Sequence, residues 1–239
     1  MTKIIRVDRI QSVSEATQLE KAGANIIGVS LVKNARFDDT RNITVDTALS
    51  IKQSLSNAKY SGEVDFSWEV SRIIELTKHL GFDFVQPNDH NVPEPKYIRS
   101  LAAEGIQIIY PYIEVSHDSD PSLIFSRFEG KKELNAAYFQ IDIFSDYSDD
   151  AWKFIQEESP EYPEEIQIED INQLAEKWSL SIGFNYSESN IIEIYNTFSK
   201  AKGINFILAD SSKWNFHHFD YPTCKKVIRQ LQTKLSFYE

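Results

Sequence analysis

Two aspartates are the residues of this sequence whose type and position best suit chemistry. Asp8 follows the apolar run 4–7, and Asp142 follows the apolar run 137–141. If both runs are strands of one parallel barrel, the two carboxylates face its mouth. One can then act as a base and the other as an acid, provided that their surroundings separate their pKa values. Two simpler interpretations stay open, in which Asp8 only caps the following turn and Asp142 is a solvated loop residue.

Other polar side chains follow the remaining predicted strands and would line the same mouth. We expect these residues to bind the substrate: Arg36, Gln86, Asn88, Tyr112, Asn185, Asp210, Ser211, Ser212 and Lys213. A guanidinium at position 36 could hold a phosphate or carboxylate with two hydrogen bonds, although a loop arginine is usually a solvated charge. The hydroxyls and ammonium of 211–213 follow the predicted eighth strand, where many barrels bind phosphate. The histidines do not show metal-ligand spacing, so neither a metal nor a cofactor is predicted.

Four glycines recur in one context and indicate which elements position these side chains. Gly23, Gly81, Gly105 and Gly203 each follow an amphipathic stretch and precede a short run rich in Ile, Phe and Val. A glycine there can adopt the left-handed conformation that ends a helix. The run that follows is typical of a strand buried on both faces. Helix, glycine and buried strand form the second half of a βαβ unit.

Eight strand–helix pairs account for the whole chain. Strands are predicted at 4–7, 26–31, 62–66, 82–86, 106–112, 137–141, 180–184 and 205–209. Helices are predicted at 13–21, 45–55, 67–80, 94–103, 122–128, 171–177, 188–201 and 221–235. Eight units of about 30 residues fit an α/β protein with one (β/α)8 TIM-barrel domain over 1–239. A doubly wound sheet usually carries a Gly-x-Gly turn after its first strand, and this chain has Asp-Arg-Ile-Gln at 8–11 instead.

Composition limits the class of protein. The chain has 239 residues, 41% of them apolar, a net charge of −11 and one cysteine, Cys224. An acidic chain is a poor non-specific ligand for nucleic acid or anionic membranes, and its apolar runs are too short to span a bilayer. One cysteine excludes an intramolecular disulfide and a cysteine-built zinc site. We expect a cytoplasmic monomer or homodimer that acts on a small molecule.

The segment 146–170 is rich in carboxylates and contains Pro160 and Pro163. It is too long for an ordinary connection between a strand and a helix. We expect an extended surface loop or lid at the barrel mouth. A solvated insertion without function is the alternative.

Several motifs resemble those of phosphoribosylanthranilate isomerase, the barrel enzyme of tryptophan biosynthesis. The family's opening Lys-Ile-Cys-Gly-Ile is similar to Arg-Val-Asp-Arg-Ile at 6–10, and its Lys-Ser-Pro-Arg-Tyr loop to Lys-Asn-Ala-Arg-Phe at 33–37. Its Gly-Leu-Asp-Val-Val-Gln-Leu-His-Gly resembles Gly-Phe-Asp-Phe-Val-Gln-Pro-Asn-Asp at 81–89. Its late Asp-Val-Ser-Ser-Gly resembles Ala-Asp-Ser-Ser-Lys at 209–213. The similarity runs in order along nearly the whole chain and is strongest over 6–110.

The resemblance implies a barrel and an Amadori rearrangement, in which an aminoaldose phosphate becomes an aminoketose phosphate. It assigns the family's cysteine base to Asp8 and its aspartate acid to Asp142. The barrel isomerase of histidine biosynthesis performs the same rearrangement with two aspartates at these strand ends, so Asp8 is compatible with the reaction.

Other positions depart from the family. Arg6 and Arg9 replace its lysine and glycine beside the base, and Lys213 replaces its last glycine. The glycines that hold phosphate after strand seven become Gly-Phe-Asn at 183–185, where the side chain of Phe184 would obstruct close backbone approach. The glycine-rich loop after strand six becomes the acidic stretch 145–150. Phosphate binding has therefore moved to side chains such as Arg36 and Lys213 or has been lost, and tryptophan biosynthesis itself is not expected.

Three functions stay open. The first is a divergent isomerase that transfers protons on a sugar phosphate or amine adduct. The second is a cyclase, lyase or epimerase of a specialised biosynthetic pathway with a phosphate-free substrate, which aromatic residues at the mouth would suit: Tyr110, Tyr112, Phe184 and Trp214. The third is a non-catalytic barrel that binds a ligand or a partner.

Overall fold

Eight parallel strands form a closed barrel in the order of the sequence. The computed structural model describes residues 3–33, 41–116, 119–143, 151–156, 166–210 and 218–235. The strands are β1 (Ile4–Asp8), β2 (Ile26–Ser30), β3 (Lys59–Val64), β4 (Phe84–Pro87), β5 (Gln107–Val115), β6 (Ala136–Ile143), β7 (Leu180–Gly183) and β8 (Gly203–Leu208). β8 pairs with β1 along all five residues of β1 and closes the ring. The predicted (β/α)8 barrel is confirmed.

Helices surround the barrel and bury their apolar faces against the outer side of the strands. They are α1 (Val13–Ala22), α2 (Val45–Ser54), α3 (Val70–Leu80), α4 (Pro95–Ala103), α5 (Ala151–Gln156), α6 (Ile168–Lys177), α7 (Ile191–Thr197) and α8 (Tyr221–Leu235). Ser12 begins α1 by accepting a hydrogen bond from the backbone N–H of Glu15, and Thr44 caps α2 in the same way. None of the described helices is long and apolar enough to cross a membrane.

The helix-ending role predicted for the four glycines is confirmed at three of them. Gly23, Gly81 and Gly105 have φ angles of 118°, 65° and 72°. The prediction is wrong for Gly203, because α7 has already ended at Thr197 and Gly203 begins β8. A Cβ atom at Gly203 would overlap the carbonyl oxygen of Ile4 on β1. Glycine is needed there because two neighbouring backbones approach closely, not because a helix ends.

The third strand begins and ends earlier than predicted, and the sixth strand is longer than predicted at both ends. Both differences affect the site. β3 covers Lys59–Val64 rather than 62–66, so Asp65 lies in the following turn, where its carboxylate accepts a hydrogen bond from the N–H of Ser67 at 2.7 Å. The last inward-facing side chain of β3 is therefore Glu63. β6 continues to Ile143, so Asp142 belongs to the strand instead of following it.

The predicted helix 122–128 is wrong. The segment forms consecutive turns that end in a single 3₁₀ turn, Ser126–Phe128. Its backbone bonds join residues three apart, as in the bond from Ser126 N to the oxygen of Leu123 at 3.0 Å. Phe125 and Phe128 both insert into the core, because residues three apart lie on the same side of such a turn.

The acidic segment is not one continuous loop. α5 lies within it and buries Trp152 and Ile155, which are 5% and 8% exposed. α6 begins at Ile168, three residues before its predicted start, and Asp170 in its first turn accepts a hydrogen bond from the N–H of Gln167 at 2.9 Å. Residues 144–150 and 157–165 lie outside the described part of the chain, and so does the prediction of a lid there.

Candidate functional site

The barrel interior is apolar at one end and polar at the other. Near the N-terminal ends of the strands it is filled by Ile26, Phe84, Ile109 and Tyr138. The inward-facing positions farther along the strands carry polar side chains, all of them buried: Arg6, Asp8, Ser30, Ser61, Glu63, Gln86, Gln140, Asp142, Ser181 and Asn205. Several of these residues alternate along otherwise apolar strands, a pattern that could have revealed them in the sequence. In barrels of this type the carboxyl ends of the strands carry the active site.

Arg6 is the centre of this polar region. Its guanidinium forms an ion pair with Asp8 at 3.0 Å and donates hydrogen bonds to the side-chain oxygens of Gln86 at 2.6 Å and Gln140 at 3.0 Å. Burial alone would lower the pKa of Arg6, but the charge of Asp8, with help from Tyr138, Tyr112 and Glu63, raises that pKa above its ordinary value. Arg6 therefore remains a permanent cation inside the barrel.

Asp8 is the last residue of β1 and is 4% exposed. Besides Arg6, its carboxylate accepts a hydrogen bond from the backbone N–H of Arg9 at 3.0 Å. Arg9 has a φ of 64°, which is unusual for a residue with a side chain. Gly28 on β2 faces the carboxylate, and a Cβ atom there would overlap Asp8 Oδ1. Asp8 does cap the following turn, as one interpretation held, but it also faces the interior.

Asp142 occupies the corresponding place on β6 and is 3% exposed, so it is not a solvated loop residue. The side-chain amide of Gln140 donates to its two oxygens at 3.1 and 3.3 Å. Gly183 on β7 faces Asp142 as Gly28 faces Asp8, since a Cβ atom at Gly183 would overlap Asp142 Oδ1. Arg6 and Gln140 together form a continuous polar bridge between the two aspartates.

Glu63 is a third buried carboxylate at this end, and the sequence analysis missed it because β3 was placed too late. Its Oε1 accepts a hydrogen bond from the hydroxyl of Tyr112 at 2.6 Å. Tyr112 lies at an irregular point of β5, between Tyr110 and Ile113, where the register with β6 shifts, and it has a φ of 58°. Burial first, and then the charge of Glu63, raises the pKa of Tyr112 well above its ordinary value. Tyr112 is therefore a neutral donor to Glu63.

The predicted binding residues do not all meet at one place. Gln86 is buried beside Arg6, whereas Asn88 and Asn185 are half-buried at the rim. Asp210 is exposed, and the guanidinium of Arg41 donates to it at 3.2 Å. Four of the predicted residues lie outside the described part of the chain: Arg36, Ser211, Ser212 and Lys213.

Arg41 is a further residue that the sequence analysis missed. It is 3% exposed, and besides Asp210 it donates to Glu15 at 2.7 Å and to the carbonyl oxygen of Arg9 at 2.9 Å. Arg41 therefore ties α1 and the turn after β8 to the strained residue next to Asp8. No sequence motif marks it.

Of the aromatic residues expected at the mouth, the structure describes three, and only one of these three faces the interior. Tyr112 faces the interior, but Tyr110 packs outside the strands against Phe139 at 5.2 Å between ring centroids. Phe184 also lies outside the strands, with its ring centroid 5.9 Å from that of Trp152, so it does not line the mouth. These outer positions follow from alternation along a strand. Tyr110 comes directly after the inward-facing Ile109, and Phe184 comes directly after the inward-facing position of Gly183. Trp214 lies outside the described residues.

A short ninth strand extends the barrel wall beside β8. β9 (His218–Phe219) pairs with Ile207 and Leu208, beyond the point where β7 has ended. Phe219 packs against Phe206 and Tyr186, with ring centroids 5.2 and 6.3 Å apart. This aromatic cluster backs the wall between β7 and β8, the region where many barrels bind phosphate.

Metal ligands are not grouped in the described residues, since no set of three or more His, Cys, Asp or Glu side chains there is arranged to hold an ion.

Solved structures with the same fold include enzymes of tryptophan biosynthesis. A structure of monomers of dimeric phosphoribosylanthranilate isomerase from Thermotoga maritima shares 14% identity and a TM-score of 0.63, with 97% of this chain and 100% of that chain covered. A phosphoribosylanthranilate isomerase in complex with reduced 1-(o-carboxyphenylamino)-1-deoxyribulose 5-phosphate gives 14% identity, a TM-score of 0.62, and coverage of 97% of this chain and 100% of that chain. The tryptophan synthase alpha chain of Legionella pneumophila gives 10% identity, a TM-score of 0.63, and coverage of 98% and 92%. At such low identity the likeness shows the fold alone. No protein-family model and no curated protein matches the sequence.

Proposed function

We propose that this chain is a divergent isomerase of the phosphoribosylanthranilate isomerase type, which carries out an Amadori-like proton transfer on a sugar phosphate or a related amine adduct. One observation carries the proposal. Asp8 and Asp142 are both buried on the inner wall at the carboxyl ends of β1 and β6, and Arg6 and Gln140 join them. Carboxylates are costly to bury, and buried charges of this kind cluster at functional sites.

In this reaction one carboxyl group acts as the general acid and the other as the general base. Asp142, in its acid form, gives a proton to the ring oxygen as the sugar ring opens. Asp8 removes the proton from the second carbon of the sugar. Ring opening leaves a Schiff base between the first carbon and the amine nitrogen. The electron pair of the carbon–hydrogen bond then forms the double bond between the first and second carbons, while the pair of the carbon–nitrogen double bond moves to nitrogen and gives an enolamine. The enolamine takes up a proton at the first carbon and loses one from its hydroxyl oxygen, which gives the ketose. Arg6 holds Asp8 in place and offsets the cost of burying its charge.

A phosphate-free substrate is favoured by one feature. β9 extends the wall between β7 and β8, and the backbone N–H of Ala209 just after β8 already donates to the carbonyl oxygen of Phe219 at 3.0 Å instead of being open to a phosphate. This arrangement supports a cyclase, lyase or epimerase that uses the same aspartates on a substrate without phosphate.

A non-catalytic binding barrel is favoured by another feature. Asp8 is already paired with Arg6, and the neighbouring Arg9 is buried at the mouth with 2% of its surface exposed. A carboxylate held this way can serve structure alone, which is the outcome that the variants below would reveal.

The test is to replace Asp8 or Asp142 with asparagine and to measure turnover of phosphoribosylanthranilate, other sugar phosphates and phosphate-free amines. Loss of a general acid or base should lower kcat by about 100-fold or more. Asp89→Asn is the matched control, because this exposed carboxylate follows β4 and accepts its hydrogen bonds, among the described residues, from Asn91 in its own turn. If both buried variants keep full turnover, or if the wild type turns over none of the compounds, proton transfer by this pair is refuted.

A further inference from the structure

Asn205 is a buried polar residue that no part of the proposed reaction uses. It is the single polar residue of β8, Gly203–Leu208, and 1% of its surface is exposed. Neither its amide nitrogen nor its amide oxygen has a hydrogen-bond partner among the described residues. A buried amide without partners lowers the stability of the fold. Such a cost is typical of groups kept for a ligand.

The strand register places Asn205 between the two halves of the site. Asp142, Gly183, Asn205 and Arg6 are successive register partners on β6, β7, β8 and β1. Register partners on parallel strands face the same side of the sheet, and neighbouring strands are about 4.8 Å apart. Asn205 therefore faces the interior one strand from Arg6 and two strands from Asp142. Gly183 between them lacks a side chain, and the carboxylate of Asp142 occupies the place that a Cβ atom there would take.

The neighbours of Asn205 do not satisfy its amide. The two terminal nitrogens of the Arg6 guanidinium bind Asp8, Gln86 and Gln140, and Arg6 Nε is itself buried without a partner among the described residues. The inward-facing residues on either side of Asn205 along β8 are Gly203 and Ile207. The hydroxyl of Ser181 on β7 is also buried without a partner. The amide of Asn205 and the hydroxyl of Ser181 are thus available to bind a ligand in this part of the barrel.

We propose that Asn205 is a substrate-binding residue that recognises two neighbouring hydroxyl groups of a sugar-like substrate. One hydroxyl donates to the amide oxygen, and the adjacent hydroxyl accepts from the amide nitrogen. The donor and acceptor of an amide lie side by side, so they match a vicinal diol better than an isolated hydroxyl or a charged group. The inference rests on the proposed function, because it places the diol next to the carbon that reacts between Asp8 and Asp142.

The first test is stability without ligand. Asn205→Leu and Asn205→Val replace the amide with apolar side chains of similar or smaller size, so at least one of them should melt at or above the temperature of the wild type. Thr77→Val on α3 is the matched control. Like the Asn205 variants it removes a buried polar group without a partner, in this case a hydroxyl that lies outside the barrel interior. If both Asn205 variants melt well below the wild type, the amide supports the fold and the proposal is overturned.

The second test is binding, measured by calorimetry with three probes. They are the reduced carboxyphenylamino-deoxyribulose phosphate named above, its phosphate-free counterpart, and an analogue of that counterpart without two neighbouring hydroxyls. The wild type should bind the diol about 10-fold or more tightly than the analogue, and the Leu variant should bind both equally, whereas Thr77→Val should behave as the wild type. An unchanged preference in the Leu variant, or a wild type that binds neither phosphate-free probe, overturns the proposal. Loss of diol preference while Asp8→Asn and Asp142→Asn keep full turnover would refute only the proton-transfer assignment.

Discussion

Replacing Arg6 with methionine should destabilise the protein more than any other single change at the site. The variant keeps most of the volume but removes the cation that faces Asp8 at 3.0 Å, Gln86 at 2.6 Å and Gln140 at 3.0 Å. Removing one partner of a buried ion pair costs about 3–5 kcal/mol, because the other charge stays buried alone. At about 2–4 °C per kcal/mol for a chain of this size, the melting temperature should fall by about 6–20 °C.

Urea unfolding at neutral pH measures this loss, and a second variant identifies its cause. The double variant Arg6→Met/Asp8→Asn should be more stable than Arg6→Met, because the uncompensated charge is gone. A loss below about 1 kcal/mol, or a double variant no more stable than the single one, would show that the pair contributes little and refute this reasoning.

Two other predictions concern a glycine and the cysteine. Gly183→Ala should displace the carboxylate of Asp142 and lower turnover by about 100-fold, since a shift of about 1 Å at a reacting group has that effect. The control Gly105→Ala has open space around its Cβ but a φ of 72°, so it should lose stability and keep its kcat. Normal turnover in Gly183→Ala would contradict the assignment of Asp142. Burial raises the pKa of the Cys224 thiol well above its ordinary value, so a thiol-specific reagent at mildly alkaline pH should label it only after unfolding. Rapid labelling of the native protein would show that α8 opens readily.

The sequence reveals the architecture well because helix ends and buried strands leave local signals. Gly23 and Gly81 end helices in the left-handed conformation that their context predicts. Gly203 has the same context but another role, since its constraint comes from Ile4, about 200 residues earlier in the chain. A local pattern cannot show a contact between distant strands.

The site is predicted less completely for a related reason. Asp8 and Asp142 are visible as polar residues at the ends of apolar runs, whereas Glu63 and Asn205 lie inside strands, where the exact register decides which way a side chain faces. Because β3 begins three residues and ends two residues earlier than predicted, its last inward-facing carboxylate is Glu63, and Asp65 lies in the following turn. Arg41 lies in a connection and acts through partners on α1 and after β8, which no spacing in the sequence indicates.

The contacts of Arg6 also bear on how the chain folds. Its partners Gln86 and Gln140 lie 80 and 134 residues away in sequence, on the fourth and sixth strands. The first strand of the barrel therefore carries a cation whose last acceptor, Gln140, follows it by more than half of the 239 residues. A fragment that ends before β6 would close around this guanidinium with one acceptor missing, so half-barrels should gain little stability of their own. The two halves are thus expected to assemble cooperatively and, given such distant contacts, slowly.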